Sequence, residues 1–422
     1  MKQTLSWILA AVLLLSLAAC GGAAEQETAA APTQATAAAV TEAAVEAVSY
    51  TYTFSGMMGE ETAQFDLYSD GTCRFYLPGN PMITDVYAAP YLREGDTVTV
   101  TGLTNVDASS AYATPGLWDW IVEGNCTITV EDADGTFTPV GAAPAQGGGQ
   151  SEGLKNVAYA STSPAQVCDI YLPEGAEKAP VVVLVHGGGF LFGDQGMTIL
   201  QPVIQKALEQ GYAVVSVDYR KSSEAVFPAA LADVKAAVRF VKASGEEYGF
   251  DTGHVAVWGE SAGAYLSLMT ALTPDVPELN GGVTDNEEVG SGVTALVSFY
   301  APVEFYTMYE EAGKPDSATG SFESKFLGQD ILADKDATYA AYWETYASQI
   351  PTDLRAWIQA GDADARVPYT QSANFAQRLA GYLGEDNVAY SLIPGADHED
   401  DMFYTEENLN AVFAWLDGFM KG

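Results

Sequence analysis

Positive charge is scarce in this chain: 18 Lys and Arg stand against 56 Asp and Glu, a formal charge of −38 over 422 residues. Such a surface repels phosphate backbones and anionic headgroups, which argues against nucleic acid as a partner and against a polyanionic substrate. Neutral sugars, esters and peptides stay open. Histidine numbers only 3 and cysteine 4, so any chemistry that needs either has few residues to draw on. Long apolar runs are also missing, because Leu5 to Ala19 falls short of the roughly twenty residues of a spanning helix and nothing later approaches that length. What is present is a hydrophobic content of 48%, enough for a sizeable core and two or three domains, which excludes a mainly disordered chain.

The first residues read as an address label. Met1-Lys2-Gln3, the apolar run and Leu17-Ala18-Ala19-Cys20-Gly21 resemble a bacterial lipoprotein signal, residues 1–19, ending at its lipobox. The resemblance implies cleavage before Cys20, a diacylglycerol on the Cys20 thiol, and a mature protein tethered to the membrane outside the cytoplasm. An ordinary secretory signal or transmembrane anchor is the alternative. Residues 20–45 are Ala, Thr, Glu, Gln and Pro with almost nothing to bury, a disordered stalk. Assigning Cys20 to lipid leaves Cys73, Cys126 and Cys168, at least one of them unpaired within the chain. Cys73 and Cys126 sit in strand-like sequence of one region, where pairing stays open, and Cys168 reads as a small buried hydrophobe.

Residues 46–142 alternate polar and apolar, as in Gln64-Phe65-Asp66-Leu67-Tyr68, between turn signals such as Asp70-Gly71 and Asp134-Gly135. They predict a small antiparallel β domain. Trp118 and Trp120 share one face there and could stack on sugar rings or fill the domain's core. A glycine-rich linker, residues 143–153, follows. From 154 to 422 continuous β-branched runs (Val181 to Val185, Ala213 to Val217, Val255 to Trp258, Thr294 to Phe299, Arg355 to Gln359, Val388 to Ile393) alternate with apolar residues at helical spacing. That is an α/β domain, a mostly parallel sheet with helices on both faces. A polar and aromatic stretch, about 303–350, interrupts the alternation and fits an insertion that roofs the strands' carboxyl edge.

Chemistry concentrates in a few segments. The strand ending at Trp258 runs into Gly259-Glu260-Ser261-Ala262-Gly263 and then a helix, so Ser261 would sit on a sharp, strained turn that exposes its hydroxyl. Gly149-Gln150-Ser151-Glu152-Gly153 fits the same pattern but follows no strand, and Ser151 is rejected. His186-Gly187-Gly188-Gly189-Phe190 follows the Val181 strand, and its glycines let backbone N–H groups approach a ligand oxygen. A serine nucleophile needs a base. His186 has the glycine-rich loop to brace and His254 starts the strand that leads to Ser261, so elimination leaves His398, in Pro394-Gly395-Ala396-Asp397-His398. A carboxylate must orient that histidine: Asp364 is favoured over Asp362 in Gly361-Asp362-Ala363-Asp364, with Asp397 third. The order Ser261, Asp364, His398 is the hydrolase order.

With Asp218-Tyr219-Arg220 and Phe227-Pro228 added, residues 154–422 resemble the α/β-hydrolase esterases of the hormone-sensitive-lipase type and the bacterial feruloyl and acetyl-xylan esterases. The resemblance implies an oxyanion hole formed by the N–H groups of Gly188, Gly189 and Ala262, with His186 and Gly187 supporting the loop. It implies serine ester hydrolysis through an acyl-enzyme, without metal or cofactor, on an ester substrate that could be acetyl or feruloyl on a polysaccharide. A general short-chain carboxylesterase, a serine peptidase and a non-catalytic binding protein are the other readings. Ala360 and Ala264 depart from the family pattern, and residues 1–150 lie outside it.

Overall fold

Alternation of inward and outward side chains decides how the first half folds. The computed structural model describes residues 47–56, 59–78, 86–101, 103–107, 126–140, 153–175, 177–332 and 335–421. The signal, Cys20, the stalk, Trp118, Trp120, Ser151 and nearly all of the linker lie outside them. Strands β1 (Ala47–Gly56), β2 (Gly59–Tyr68), β3 (Thr72–Tyr76), β4 (Val86–Glu94), β5 (Thr97–Val100), β6 (Thr104–Asp107), β7 (Cys126–Glu131) and β8 (Thr136–Val140) pair in the order β3-β2-β1-β8-β7-β5-β4-β6. Because β3 also pairs with β4, the sheet closes into a barrel, with β6 outside the ring. Every ladder is antiparallel except one, where Thr51 of β1 faces Thr136 of β8 in parallel. A ring of an odd number of strands cannot alternate direction all the way round, so one parallel neighbour is unavoidable.

The barrel interior is Tyr50, Phe65, Phe75, Val98, Ile128, Val130 and Phe137, all essentially without exposure. Phe65 lies 4.7 Å from Phe75 and meets Phe137 edge-on at 5.2 Å. Cys73 and Cys126 are both buried in this core as free thiols, so they are not bonded to each other. Desolvation pushes them up to about 11 and about 12, and both stay protonated. Cys168 is likewise a free, fully buried thiol.

The second sheet takes β9 (Leu154–Ala158), β10 (Val167–Tyr171), β11 (Ala179–Val185), β12 (Ala213–Val217), β13 (Phe250–Glu260), β14 (Ala295–Phe299), β15 (Arg355–Gly361) and β16 (Val388–Ile393) in the order β16-β15-β14-β13-β11-β12-β10-β9. From β12 to β16 all neighbours are parallel, while β10 runs antiparallel to both β12 and β9. The helices are α1 (Gln201–Glu209), α2 (Ala229–Ala243), α3 (Gly245–Tyr248), α4 (Ser261–Leu272), α5 (Phe305–Glu311), α6 (Phe322–Leu327), α7 (Lys335–Ala340), α8 (Tyr369–Leu383) and α9 (Glu406–Met420). Successive residues of β11 feed opposite layers: Val181, Val183 and Val185 belong to the core layer that includes apolar residues of α2, α4 and α8, whereas Val182 and Leu184 belong to the layer that includes those of α1 and α9. The stretch expected as an insertion holds α5, α6 and α7, between β14 and β15.

Register brings the strand ends level. Val185 pairs with Gly259, Glu260 with Phe299, Phe299 with Gln359, and Gly361 with Ile393. The loops carrying residues 186–192, 261, 300, 362–367 and 394–400 therefore leave from one carboxyl edge, where open parallel sheets place ligands. Barrel and hydrolase sheet belong to one compact unit, Val45–Gly422.

The Asp218-Tyr219-Arg220 segment is anchored by a buried ion pair. Arg220 Nε and Nη2 reach the Asp233 carboxylate of α2 at 2.9 and 2.7 Å, and Gln166 donates to Asp233 Oδ1 at 2.6 Å. Asp233 has no exposure. Removing one partner strands the other charge, so Asp233→Ala is expected to cost roughly 3–5 kcal/mol. Urea unfolding of the two proteins measures this, and a midpoint shift worth less than about 1 kcal/mol would contradict it.

Candidate active site

The site begins with a backbone conformation that side chains avoid. Ser261 sits at φ +48°, between the extended Glu260 at the end of β13 and the first turn of α4. Its flanking glycines have no substitute. A Cβ at Gly259 would lie 2.2 Å from the Gly263 carbonyl oxygen, and one at Gly263 would lie 2.2 and 2.3 Å from the carbonyl oxygens of Val185 and His186. These neighbours are backbone and cannot swing aside. The turn is thereby pressed against the end of β11 and the start of the glycine-rich loop, where a Cβ at Gly187 would stand 3.2 Å from Ser261 Cβ.

Across the sheet edge, the loop after β16 brings His398 to the serine. Ser261 Oγ is 2.9 Å from His398 Nε2, and His398 Nδ1 is 2.7 Å from Asp364 Oδ2. The Asp364 carboxylate is fully buried. Its Oδ1 accepts the N–H groups of Arg366 at 2.9 Å and Val367 at 2.7 Å, which fixes the carboxylate relative to its own turn. The other two acidic candidates do different work. Asp362 Oδ1 accepts Gly395 N–H at 2.6 Å, and Asp397 Oδ1 accepts Ala365 N–H at 3.0 Å and His398 N–H at 2.7 Å. Both tie the acid loop to the histidine loop, while the imidazole Nδ1 is left to Asp364.

The glycine-rich loop turns tightly through Gly188 at φ +99° and Gly189 at φ +59°, with Leu191 and Phe192 donating to the Gly188 carbonyl. Gly187 N–H is taken by Glu260 Oε1 at 3.1 Å. Among the described residues the N–H groups of Gly188, Gly189 and Ala262 have no hydrogen-bond partner, and Ala262 lies in the first turn of α4, where helix N–H groups are free. Three free donors near the Ser261 hydroxyl, whose residue is only 4% exposed, can hold an oxyanion.

His186 braces this loop from below. It is fully buried, stacked on Tyr219 at 4.3 Å, with Nδ1 2.7 Å from the Gly187 carbonyl. Only a protonated Nδ1 suits a carbonyl, so Nε2 is the lone-pair nitrogen that accepts from Lys221 Nζ at 3.1 Å. Lys221 also binds Asp218, whose Oδ1 lies 3.1 Å from Nε2. Burial and the Lys221 charge hold the His186 pKa below 6.5. His254 is remote from the site and pairs with Asp251 at 2.9 Å.

Sequence reasoning missed a second support. Glu260, 2% exposed, accepts from Tyr300 OH at 2.7 Å and Tyr404 OH at 2.5 Å besides Gly187 N–H. Desolvation and the Glu260 charge raise both phenols well above 10, so they stay protonated donors. One carboxylate thus links the ends of β13 and β14, the glycine-rich loop and the segment beyond His398. A signal exists only in hindsight, since Glu260 occupies the variable position of its motif. Of the six non-glycine residues with positive φ among the described residues, Phe190, Ser261, Tyr300 and Glu399 belong to this site, where strain is tolerated because surrounding contacts over-determine the backbone. Among the described residues, no group of three or more His, Cys, Asp or Glu is disposed to hold a metal.

A family model described as BD-FAE matches residues 168–379, from β10 into α8. Among curated proteins the chain is similar to "Probable carboxylic ester hydrolase LipM" of Mycobacterium tuberculosis, 30% identical over 224 residues, 53% of this chain and 50% of that protein. "Esterase LipC" of the same organism is 26% identical over 244 residues, 57% and 58% of the two. The chain spans about half the length of these curated relatives. Two solved structures share its fold. A truncated carbohydrate esterase from gut microbiota has a TM-score of 0.55 at 24% identity, over 64% of this chain and 97% of that one. A bifunctional GH43-CE protein of Bacteroides eggerthii has 0.57 at 20%, over 89% and 52%. The C-terminal sheet has the α/β-hydrolase fold that the sequence pattern predicts.

The His186 environment sets a pH dependence of stability. With the folded pKa held below the ordinary 6.5, the unfolded chain binds a proton that the folded chain resists. This contribution is complete above about pH 6.5 and is lost as pH falls through the folded pKa. His186→Asn, which keeps a donor for the Gly187 carbonyl and cannot titrate, is expected to show a shallower fall in melting temperature than the wild type between about pH 6.5 and 5. An equal or steeper fall would contradict the neutral assignment.

Proposed function

The chain belongs to the BD-FAE family, and from that premise we propose that it is a serine carboxylic-ester hydrolase working through an acyl-enzyme. The observation that carries the reading is the relay from Ser261 Oγ through His398 to Asp364, at 2.9 and 2.7 Å. Ser261 Oγ attacks the ester carbonyl carbon and gives its proton to His398 Nε2. Asp364, accepting the Nδ1–H, keeps the ring in the tautomer whose Nε2 lone pair faces the serine and stabilises the imidazolium. The carbonyl oxygen becomes an oxyanion held by the N–H groups of Gly188, Gly189 and Ala262. The C–O bond to the alcohol breaks, and the leaving oxygen takes the proton from Nε2. Water enters, gives its proton to Nε2, and repeats the addition and collapse to free the acid and Ser261.

The substrate class we propose is acetyl or feruloyl ester on a neutral polysaccharide. The supporting observations are the family resemblance and the charge of −38, which does not oppose a neutral glycan. We further propose that the protein works outside the cytoplasm on a lipid anchor at Cys20, supported by the leader motif.

Hydrolysis of a p-nitrophenyl acyl series and of acetylated and feruloylated xylo-oligosaccharides tests the reading. Ser261→Ala is expected to lose at least about 10⁴-fold in kcat. Asp364→Asn should lose about 10³–10⁴-fold, whereas Asp362→Asn should stay within about tenfold. Glycan esters turned over faster than simple esters support the substrate class, and the reverse order points to a general carboxylesterase. No turnover of any ester by folded protein contradicts the enzyme reading. For the anchor, metabolic labelling with a fatty-acid probe in a bacterial host should mark the wild type and spare Cys20→Ser, and equal labelling would overturn it.

A further inference from the structure

The β barrel has so far no part in the chemistry, yet its core does not end at its own strands. Two side chains of the hydrolase domain, Phe192 and Phe322, pack against the buried cluster formed by Tyr50, Phe65, Phe75 and the other barrel residues. Phe192 closes the glycine-rich loop, and Phe322 opens α6 in the insertion. Their rings meet edge-on at 6.0 Å.

Phe322 also touches the loop itself. A Cβ at Gly189 would fall 2.7 Å from Phe322 Cδ2, so the ring lies directly on the Gly189 backbone. The guanidinium of Arg366, the residue whose backbone N–H donates to Asp364, stands 5.2 Å from the centre of the same ring. One turn along α6, Phe326 stacks on Phe190 at 4.1 Å and 17°. A single helical face thus covers the loop at two points, Gly189 and Phe190. The helix is itself fixed: Ser321 Oγ accepts Ser324 N–H at 3.1 Å as its cap, and Phe227 N–H donates to Phe326 O at 2.7 Å.

We propose that the β barrel is part of the active-site wall, and that Phe322, wedged between the barrel core and Gly189, is a positioning residue that holds the oxyanion loop in register with Ser261. Gly188 and Gly189 both have positive φ, and glycine there is free to take other conformations. Their N–H groups are aimed only as long as something occupies the space above them. Phe326 secures one end of the loop from within the hydrolase domain, while Phe322 secures the donor end and depends on the barrel behind it. The inference rests on the ester-hydrolase reading and on Gly189 serving as an oxyanion donor.

Full-length Phe322→Ala, Phe322→Leu and Phe322→Tyr, with Ser261→Ala as reference, test it on p-nitrophenyl acetate, alongside amide hydrogen exchange of the barrel strands. Misaiming one donor forfeits part of the hundredfold or more that its removal would cost. Phe322→Ala is therefore expected to lower kcat about tenfold with KM changed less than about twofold, and Phe322→Tyr to restore it. Exchange of the barrel strands' amides should speed up in Phe322→Ala, because the same ring also packs on the barrel core. If the alanine variant is insoluble, Phe322→Leu carries the test, with a smaller drop in kcat in the same direction. A folded variant with wild-type kcat overturns the proposal, whatever its exchange. So does a rise in KM alone, or a loss of kcat with barrel exchange unchanged. A wild type no faster than Ser261→Ala would instead sink the esterase reading beneath it.

Discussion

The site depends on three backbones meeting with no room for a side chain between them. The carbonyls of Val185 and His186 lie where a Cβ of Gly263 would be, and the carbonyl of Gly263 lies where a Cβ of Gly259 would be. This contact forces Ser261 into a left-handed conformation and fixes the start of the glycine-rich loop against the first turn of α4 in the same stroke. Hydroxyl and amide donors are therefore not placed independently. Parallel register supplies the rest, because strands ending level deliver the acid and histidine loops to the same edge.

Around that contact, charge is arranged so that little has to reorganise when an oxyanion forms. Glu260 accepts from three neutral donors, Gly187 N–H, Tyr300 OH and Tyr404 OH, which hold its carboxylate in place beneath the loop. His186 stays neutral beneath the loop, held so by burial and by Lys221. Asp364 is buried and satisfied by two backbone N–H groups, leaving its second oxygen to the imidazole. Preorganised dipoles of this sort, in a site shielded from water, stabilise a developing charge better than solvent does.

Much of this was legible in the sequence because backbone constraints write themselves in residue types. Runs such as Val181 to Val185 and Ala213 to Val217 announce strands covered on both faces, and both are strands in the structure. The two glycines around Ser261 announce the elbow, since no other residue survives there. The scarcity of histidine made His398 readable by elimination, and the structure brings it to Ser261. What stayed hidden depends on side-chain geometry across loops. Asp364 is favoured over Asp362 from its position in the chain and does meet the ring, but that Asp362 and Asp397 tie the acid loop to the histidine loop is a matter of turn geometry that spacing does not encode. The Glu260–Tyr300–Tyr404 cluster joins residues up to 144 positions apart, and neither tyrosine lies in a motif. Closure of the barrel through a parallel β1–β8 contact likewise follows from strand count around a ring, which alternation alone does not reveal.

The central claim is that this backbone contact makes one hydroxyl, that of Ser261, a nucleophile served by His398. The most direct measurement is reaction of the full-length protein with a fluorophosphonate, with the modified residue mapped by peptide mass spectrometry. The account predicts rapid, stoichiometric label on Ser261 alone, slowed strongly in His398→Gln. Label on Ser151 or on any other serine, or none on folded protein, would contradict it.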